Sequence, residues 1–389
     1  MHISRTLHVV QVGWDTALLQ TDAPSDSAQR QQLYAQLLEA RRPGSRMTIV
    51  VLGAPSGSTS KQLGPIAIEP IAGRWRGPAG LFSVLKRLHA KHPISVITPQ
   101  SPLEEGWASL AFARGRIPVV VQVHFDFLSD LALPGGSQLR QALGRARRCL
   151  ALRLLPRFAA VRTVASDMAC QLLERGARSA KSIAVPIMDL DELLALRLEQ
   201  IRPGVLFVGR LAPEKNLNLW LAVALRVAAA RSDVHFDIVG DGPQKPSLEA
   251  QVRHLGLSDR VIFHGARPRT ALANDYAEAS VLLLTSDHEG FGRVLVEAMA
   301  AGVAVVSTRT AGAREVLDDG AVGVLAPIGD ADALAAGVVR LLADVPYRAA
   351  LVDAGRRRVA KRYRPETLAA QWVDMLIEVA EQGNARPLK

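Results

Sequence analysis

Short runs of consecutive apolar, mostly β-branched residues alternate along this chain with longer stretches in which apolar positions return every three or four residues. In the first half the runs fall at residues 7–12, 47–53, 94–99 and 118–124; in the second they fall at 204–211, 234–240, 260–265, 281–286 and 303–308. Unbroken apolar strands, each followed by a helical pattern, are what a parallel sheet covered on both faces requires. Both halves therefore read as doubly wound α/β domains. A charged segment at 185–204 ends in Pro203-Gly204 just ahead of a fresh strand, which places the join there. The expected domains are 1–190 and 200–363, with a last amphipathic helix at 364–382. No sequence repeat of 20 to 50 residues relates the halves.

Ligands bind such sheets outside the carboxyl ends of the strands, so chemistry is sought in the loops there. Four of those loops stand out in the second half. The first strand is followed by Gly209 and Arg210-Leu211-Ala212-Pro213-Glu214-Lys215-Asn216, the next by Gly240-Asp241-Gly242-Pro243 and the third by Ala266-Arg267. The fourth is followed by Asp287-His288-Glu289-Gly290-Phe291-Gly292. Arg210 and Lys215, five residues apart across a proline turn, suit a diphosphate. The glycines around Phe291 let backbone approach a ligand ahead of a helix whose amino end favours an anion. Glu289 precedes that helix and Glu297 lies one to two turns inside it. They are too far apart to share a proton, so the two carboxylates are expected to accept hydroxyls on opposite sides of a phosphate, as a nucleotide sugar would present them.

Composition adds limits. At 389 residues the chain is long for one core, and its 49% hydrophobic and 22% charged residues are those of an ordinary globular protein. Cys149 and Cys170 lie in helical apolar patterns and are expected to be buried free thiols in a reducing cytoplasm. The amino terminus does not read as a signal peptide, and no apolar run approaches the length of a membrane span. The net charge of +10 is uneven: residues 1–200 hold 24 Lys/Arg against 15 Asp/Glu, and residues 201–389 hold 23 against 22. That excess faces something anionic or is simply an arginine-rich surface. Within it, residues 138–158 form an amphipathic basic helix. Leu139, Ala142, Leu143, Ala146, Leu150 and Leu154 share a stripe, and Arg140, Arg145, Arg147 and Arg148 lie mostly off it. The stripe is either a core face or part of a surface that meets anionic lipid.

The segments GRLAPEKN, GDGP, FHG, EGFGRVLVEAMAAGVAVVST and GAREVL, in that order over about 125 residues, resemble the signature series of the retaining GT-B glycosyltransferases of family 4. The stretch VVVQVHFDFLS resembles the strand and loop that carry a histidine near the donor sugar in that family. RTVASDMACQLLERGA resembles its last acceptor-domain strand and helix. The resemblance implies a GT-B fold of two Rossmann-like domains around a cleft, the last helix crossing back to the first domain. It places Arg210 and Lys215 on the donor diphosphate, Glu297 on the ribose and Glu289 on the transferred sugar. Phe291 and Gly292 would offer amides nearby, and His124 would lie at the reactive carbon. Donor contacts are further expected from Gly209, Gly240, Gly242, Arg267 and Gly290.

The same resemblance implies a retaining hexosyltransferase with no cofactor and no metal requirement, taking a nucleotide sugar and a glycan or polyprenyl-diphosphate-linked acceptor. The expected setting is cytoplasmic, peripheral at the inner face of the membrane, in bacterial polysaccharide or glycolipid synthesis. The chain departs from the family where a glycine pair usually follows the first strand: Gly13 is followed by Trp14 and Asp15, and Trp14 either stacks on a sugar or packs beneath its loop. Gly13, Trp14 and Asp126 are the acceptor candidates. A nucleotide-sugar epimerase or hydrolase of the same architecture is the enzymatic alternative. A nucleic-acid-binding protein is the alternative of another class, and 5% aromatic residues without basic interleaving speak against it.

Overall fold

The computed structural model describes residues 6–19, 25–73, 77–125, 127–128, 138–196 and 203–384. The chain divides into two units, Met1–Met188 with Pro365–Lys389, and Asp189–Arg364. The first holds β1 (His8–Gly13), β2 (Arg46–Ala54), β3 (Lys61–Leu63), β4 (Ile66–Ala72), β5 (Val96–Pro99), β6 (Val120–Val123), β7 (Ala160–Thr163) and β8 (Ala180–Ser182). The second holds β9 (Gly204–Val208), β10 (His235–Val239), β11 (Val261–Gly265), β12 (Val281–Leu284), β13 (Ala304–Thr308) and β14 (Val324–Ala326).

In the first unit the order is β3-β4-β2-β1-β5, continued by β6-β7-β8 through the parallel bridge Ile97–Val119. Every pairing is parallel except β3 with β4. The central strands are buried along their length, as sheets covered on both faces demand. The helix Pro365–Asn384 belongs to this unit, and Trp372 and Leu376 join Val9, Ile49 and Tyr34 in its core. Arg162 on β7 is fully buried beside them. Its guanidinium donates to the carbonyls of Ile183 (3.0 Å) and Ala184 (2.8 Å) and to Gln122 Oε1 (3.2 Å), and lies 4.7 Å from the Trp372 ring centroid. Carbonyl dipoles and the aromatic face thus replace the water a buried cation loses.

The structure corrects one expectation in this unit and decides between two alternatives in another. Both cysteines are exposed, because helical periodicity gives a face but not what covers it; Cys149 and Cys170 lie on outward sides of their helices. The helix Gln138–Leu154 buries only Gly144 and Ala151, two small residues that let it sit close on the domain. Its leucine stripe points outward instead. On the inner flanks Arg147 pairs with Glu104 (2.6 Å) and Arg148 donates to the Leu128 carbonyl (2.7 Å), so these two arginines are anchored to the domain.

The second unit has the order β11-β10-β9-β12-β13-β14, all parallel. Numbered from its own first strand this is 3-2-1-4-5-6, and the chain reverses direction across the sheet between β9 and β12. The loops leaving those two strands therefore form the crevice in which such sheets bind ligands.

Candidate active site

The loops after β9 and β12 are bound to each other, not merely adjacent. The Asp287 amide donates to the Glu214 carbonyl (3.1 Å), and Thr285 Oγ1 lies 3.1 Å from the carbonyl oxygens of both Lys215 and Asn216. Asn216 takes a left-handed conformation (φ 43°). Its side-chain oxygen accepts from the Leu219 amide to cap the helix Leu217–Ala230, while its Nδ2 donates to Asp287 (2.7 Å). One asparagine thus starts the helix, ends the turn and joins the two loops.

On this scaffold Lys215 Nζ meets Glu289 Oε2 at 2.5 Å, both side chains largely buried. The two residues assigned to diphosphate and sugar are brought together at the crevice, cation against carboxylate. Arg210 is not brought to Lys215: its guanidinium donates to Glu214 (2.5 Å) and is 70% exposed.

Gly292 (φ 83°) begins the helix Arg293–Ala301 in a left-handed conformation that a side chain would strain, which turns the loop so that the helix's amino end opens at the carboxyl edge of the sheet. Phe291 packs its ring on Tyr363, centroids 5.8 Å apart, leaving its backbone as the part that can meet a ligand. Gly240 has a plainer explanation than ligand contact: a Cβ there would fall 1.8 Å from the Gly209 carbonyl oxygen, and one at Gly242 2.4 Å from that of Leu211. These glycines let the loop after β10 seat against the loop after β9, held by the Leu211 amide on the Asp241 carbonyl (2.9 Å).

Glu297 is 2% exposed and carries a network that sequence reasoning missed. Arg293 Nε donates to its Oε1 (2.8 Å), Arg269 lies on the same oxygen (3.0 Å), and the Tyr276 hydroxyl donates to Oε2 (3.0 Å). Arg269 also reaches Asp189 (2.5 Å). Burial, with the Glu297 charge and hydrogen bond added, pushes the Tyr276 hydroxyl well above its ordinary range and keeps it a donor. Arg293 sits four residues before Glu297, a spacing visible in sequence, whereas Arg269 and Tyr276 arrive from another helix. Arg267 donates to His264 Nδ1 (2.8 Å) and meets Asp275 (3.2 Å); His264 Nε2 in turn bonds Asp237 (2.6 Å), fixing its tautomer.

In the first unit His124 follows β6 and is half-buried. Desolvation, with Arg162 and Arg30 adding to it, lowers its imidazole to about 3, so the ring is neutral at physiological pH. The unfolded chain protonates this ring near 6.5 and the folded chain does not, so its contribution to stability is full above that pH and declines as pH falls. A His124→Asn chain is expected to lose less stability between about pH 7 and about pH 5 than the natural one in urea unfolding. Equal losses would mean an unperturbed imidazole.

Gly13 closes β1 against Gln100, and Trp14 is 41% exposed. Its ring lies over Gly53, where a Cβ would meet it at 3.0 Å. Burial raises the nearby Glu105 carboxyl. Trp14 therefore rests on the Gly53 backbone with much of its ring in the open. Asp126 lies outside the described residues. Among those residues there is no group of three or more His, Cys, Asp or Glu that could hold a metal, and no helix long and apolar enough to cross a membrane.

Residues 23–187 match the glycosyl transferase 4-like domain and residues 196–358 match glycosyl transferases group 1. The chain is 32% identical over 182 residues to the GDP-mannose-dependent alpha-(1-6)-phosphatidylinositol monomannoside mannosyltransferase of Mycolicibacterium smegmatis, covering 45% of this chain and 48% of that protein. Curated relatives are thus matched over about half their length. Among solved structures, sucrose-phosphate synthase from Thermosynechococcus elongatus superposes with a TM-score of 0.76 at 21% identity, over 97% of this chain and all of that one. Anabaena HepE in complex with UDP and glucose gives a TM-score of 0.69 at 20% identity, over 95% and 99% of the two chains.

Proposed function

We propose that this chain, which has a GT-B fold and two segments matching the glycosyl transferase 4-like domain and glycosyl transferases group 1, transfers a hexose from a nucleoside-diphosphate sugar to a glycan or lipid-linked acceptor with retention of anomeric configuration. The observation that carries the reading is the Lys215–Glu289 pair, held in the crevice at the reversal of the sheet beside the amino end of the helix Arg293–Ala301. A cation and a carboxylate side by side match the junction of a diphosphate and a sugar. On this reading the bond from the anomeric carbon to the diphosphate breaks, a bond from that carbon to the acceptor oxygen forms on the same face, and the acceptor proton passes to the leaving diphosphate.

Each residue has a task in that step. Lys215 leaves Glu289 for the diphosphate and stabilises the charge that grows there, a task done elsewhere by a divalent metal. Arg210, exposed on the same loop, adds a second donor. Glu289, released from Lys215, accepts hydroxyls of the sugar. Glu297 takes the ribose hydroxyls on the lone pair of Oε2 that Tyr276 leaves open. His124 serves at the reactive carbon as a neutral group, so its protonation should contribute no limb to the pH–rate profile between about pH 5 and about pH 9. Two of the similar proteins support a nucleotide-sugar donor, the mycobacterial enzyme by its dependence on GDP-mannose and HepE by its bound UDP and glucose. The setting proposed is bacterial surface polysaccharide or glycolipid synthesis, peripheral to the cytoplasmic face of the membrane.

A thermal-shift panel of UDP, GDP and ADP with their hexose conjugates tests the donor. One base is expected to stabilise the chain, as ligands that bind only the folded state do. A flat response to all of them would remove the reading. On the acceptor side Trp14→Ala is expected to raise the acceptor KM about tenfold with Trp14→Phe near the natural value, the scale of one lost aromatic stacking contact. An unchanged KM in Trp14→Ala would make Trp14 a packing residue.

A further inference from the structure

The helix Gln138–Leu154 presents to solvent the side of itself that should be inside. Leu139, Leu143 and Leu150 are 70%, 56% and 40% exposed, and at helical spacing they share one face with the exposed Ala142 and Ala146. The opposite side carries Gly144 and Ala151, the two residues buried against the domain. An exposed apolar stripe of this length on a helix is a surface built for something other than water.

What flanks the stripe identifies its occupant. The helix contains no acidic residue. Arg140 borders the leucines on one side and Arg145 and Arg153 on the other, all three exposed, with Arg157 exposed just beyond the helix end. Arg147 is held by Glu104 in a surface ion pair and Arg148 by the Leu128 carbonyl, so the cations divide into a pair tied to the domain and a set at the borders of the leucines. A narrow apolar strip edged by long cationic side chains complements an anionic bilayer: leucines enter the boundary between headgroups and acyl chains while the arginines stay at the phosphates. The excess of 24 Lys/Arg over 15 Asp/Glu in residues 1–200 adds attraction at longer range.

We infer that this helix is an interfacial membrane anchor, inserted by Leu139, Leu143 and Leu150 and held by Arg140, Arg145 and Arg153 against anionic lipid. The inference deepens the proposed peripheral placement and rests on it, and it changes which residues act. The leucines supply the binding, and Arg147 and Arg148 stay with the fold.

Vesicle flotation of the full chain tests this, using phosphatidylcholine vesicles and mixed phosphatidylcholine–phosphatidylglycerol vesicles. The natural chain is expected on the mixed vesicles only. Leu139→Ser/Leu143→Ser/Leu150→Ser should weaken partition by about tenfold or more with its melting temperature kept, since three exposed apolar side chains are lost from the lipid and none from the core. Arg140→Ser/Arg145→Ser/Arg153→Ser should weaken binding most at low salt. A polarity-sensitive dye on Cys149, at the edge of the stripe, in a Cys170→Ser chain should shift to the blue on mixed vesicles and not on phosphatidylcholine. Equal vesicle binding by the leucine variant, or no dye shift, overturns the anchor. So does a dimer of the natural chain that the leucine changes dissolve without any vesicle binding, which would make a second copy the occupant. Transfer to a water-soluble acceptor without vesicles should be the same in the leucine variant and the natural chain. Absence of transfer from both counts against the proposed reaction and leaves the anchor standing.

Discussion

Lys215→Ala is expected to lower turnover by about 10²- to 10³-fold, the effect of removing one preorganised group that meets charge developing on a leaving oxygen. Affinity for the free nucleoside diphosphate should change much less, because the lysine gains most where negative charge has grown beyond that of the ground state. The structure sharpens the expectation. Lys215 is held by Glu289 at 2.5 Å, so its ammonium already lies at the crevice and exchanges one anionic partner for another when it meets the diphosphate. It also predicts coupling. Glu289→Ala should slow turnover with nucleotide affinity nearly intact, and the double variant should fall short of the product of the two single effects, as for residues in contact. Steady-state kinetics beside calorimetric titration of the diphosphate separates these quantities. A Lys215→Ala chain with natural turnover, or with affinity and turnover reduced alike, would remove the lysine from the leaving-group role.

Glu297→Ala is expected to destabilise the second unit strongly. It leaves Arg269 and Arg293 without the carboxylate they share and Tyr276 without its acceptor, all around a position 2% exposed. Removing one partner of a buried, hydrogen-bonded charge cluster costs about 3–5 kcal/mol. For a domain of this size that lowers the melting temperature on the order of 10 °C. Glu297→Gln keeps the volume and one acceptor, so it should lose less stability while weakening donor and free nucleotide together. Calorimetric melting and nucleotide titration on the same samples distinguish a scaffold from a ribose contact. Natural stability in Glu297→Ala would contradict the buried network, and unchanged nucleotide affinity in Glu297→Gln would remove the ribose assignment.

The sequence showed most clearly what depends on short range. Long apolar runs such as those at β9, β12 and β13 are legible because both faces of the sheet are covered, whereas β3, β8 and β14 are three residues each and carry little pattern. The loops at the crevice were visible as motifs, but their mutual bonds were not: Asn216 capping a helix while binding Asp287 needs both loops folded. Gly240 and Gly242 read as ligand-facing, and the nearest atoms proved to be backbone of the neighbouring loop. Arg269 and Tyr276 reach Glu297 from 28 and 21 residues away in the chain, beyond any local spacing rule. The helix Gln138–Leu154 shows the same limit from the other side. Its stripe was evident from period alone, but a period does not say whether protein or something else lies against it.

Transfer with retention is read from the anomeric configuration of the product. With the donor selected by the nucleotide panel and an accepted sugar or glycolipid, proton NMR of the product at early times reports the new linkage before any equilibration. An α-linked donor is expected to give an α-linked product, at a rate unaffected by added Mg²⁺ or by EDTA. A β-linked product, or activity abolished by EDTA and restored by metal, would rule out metal-free transfer with retention.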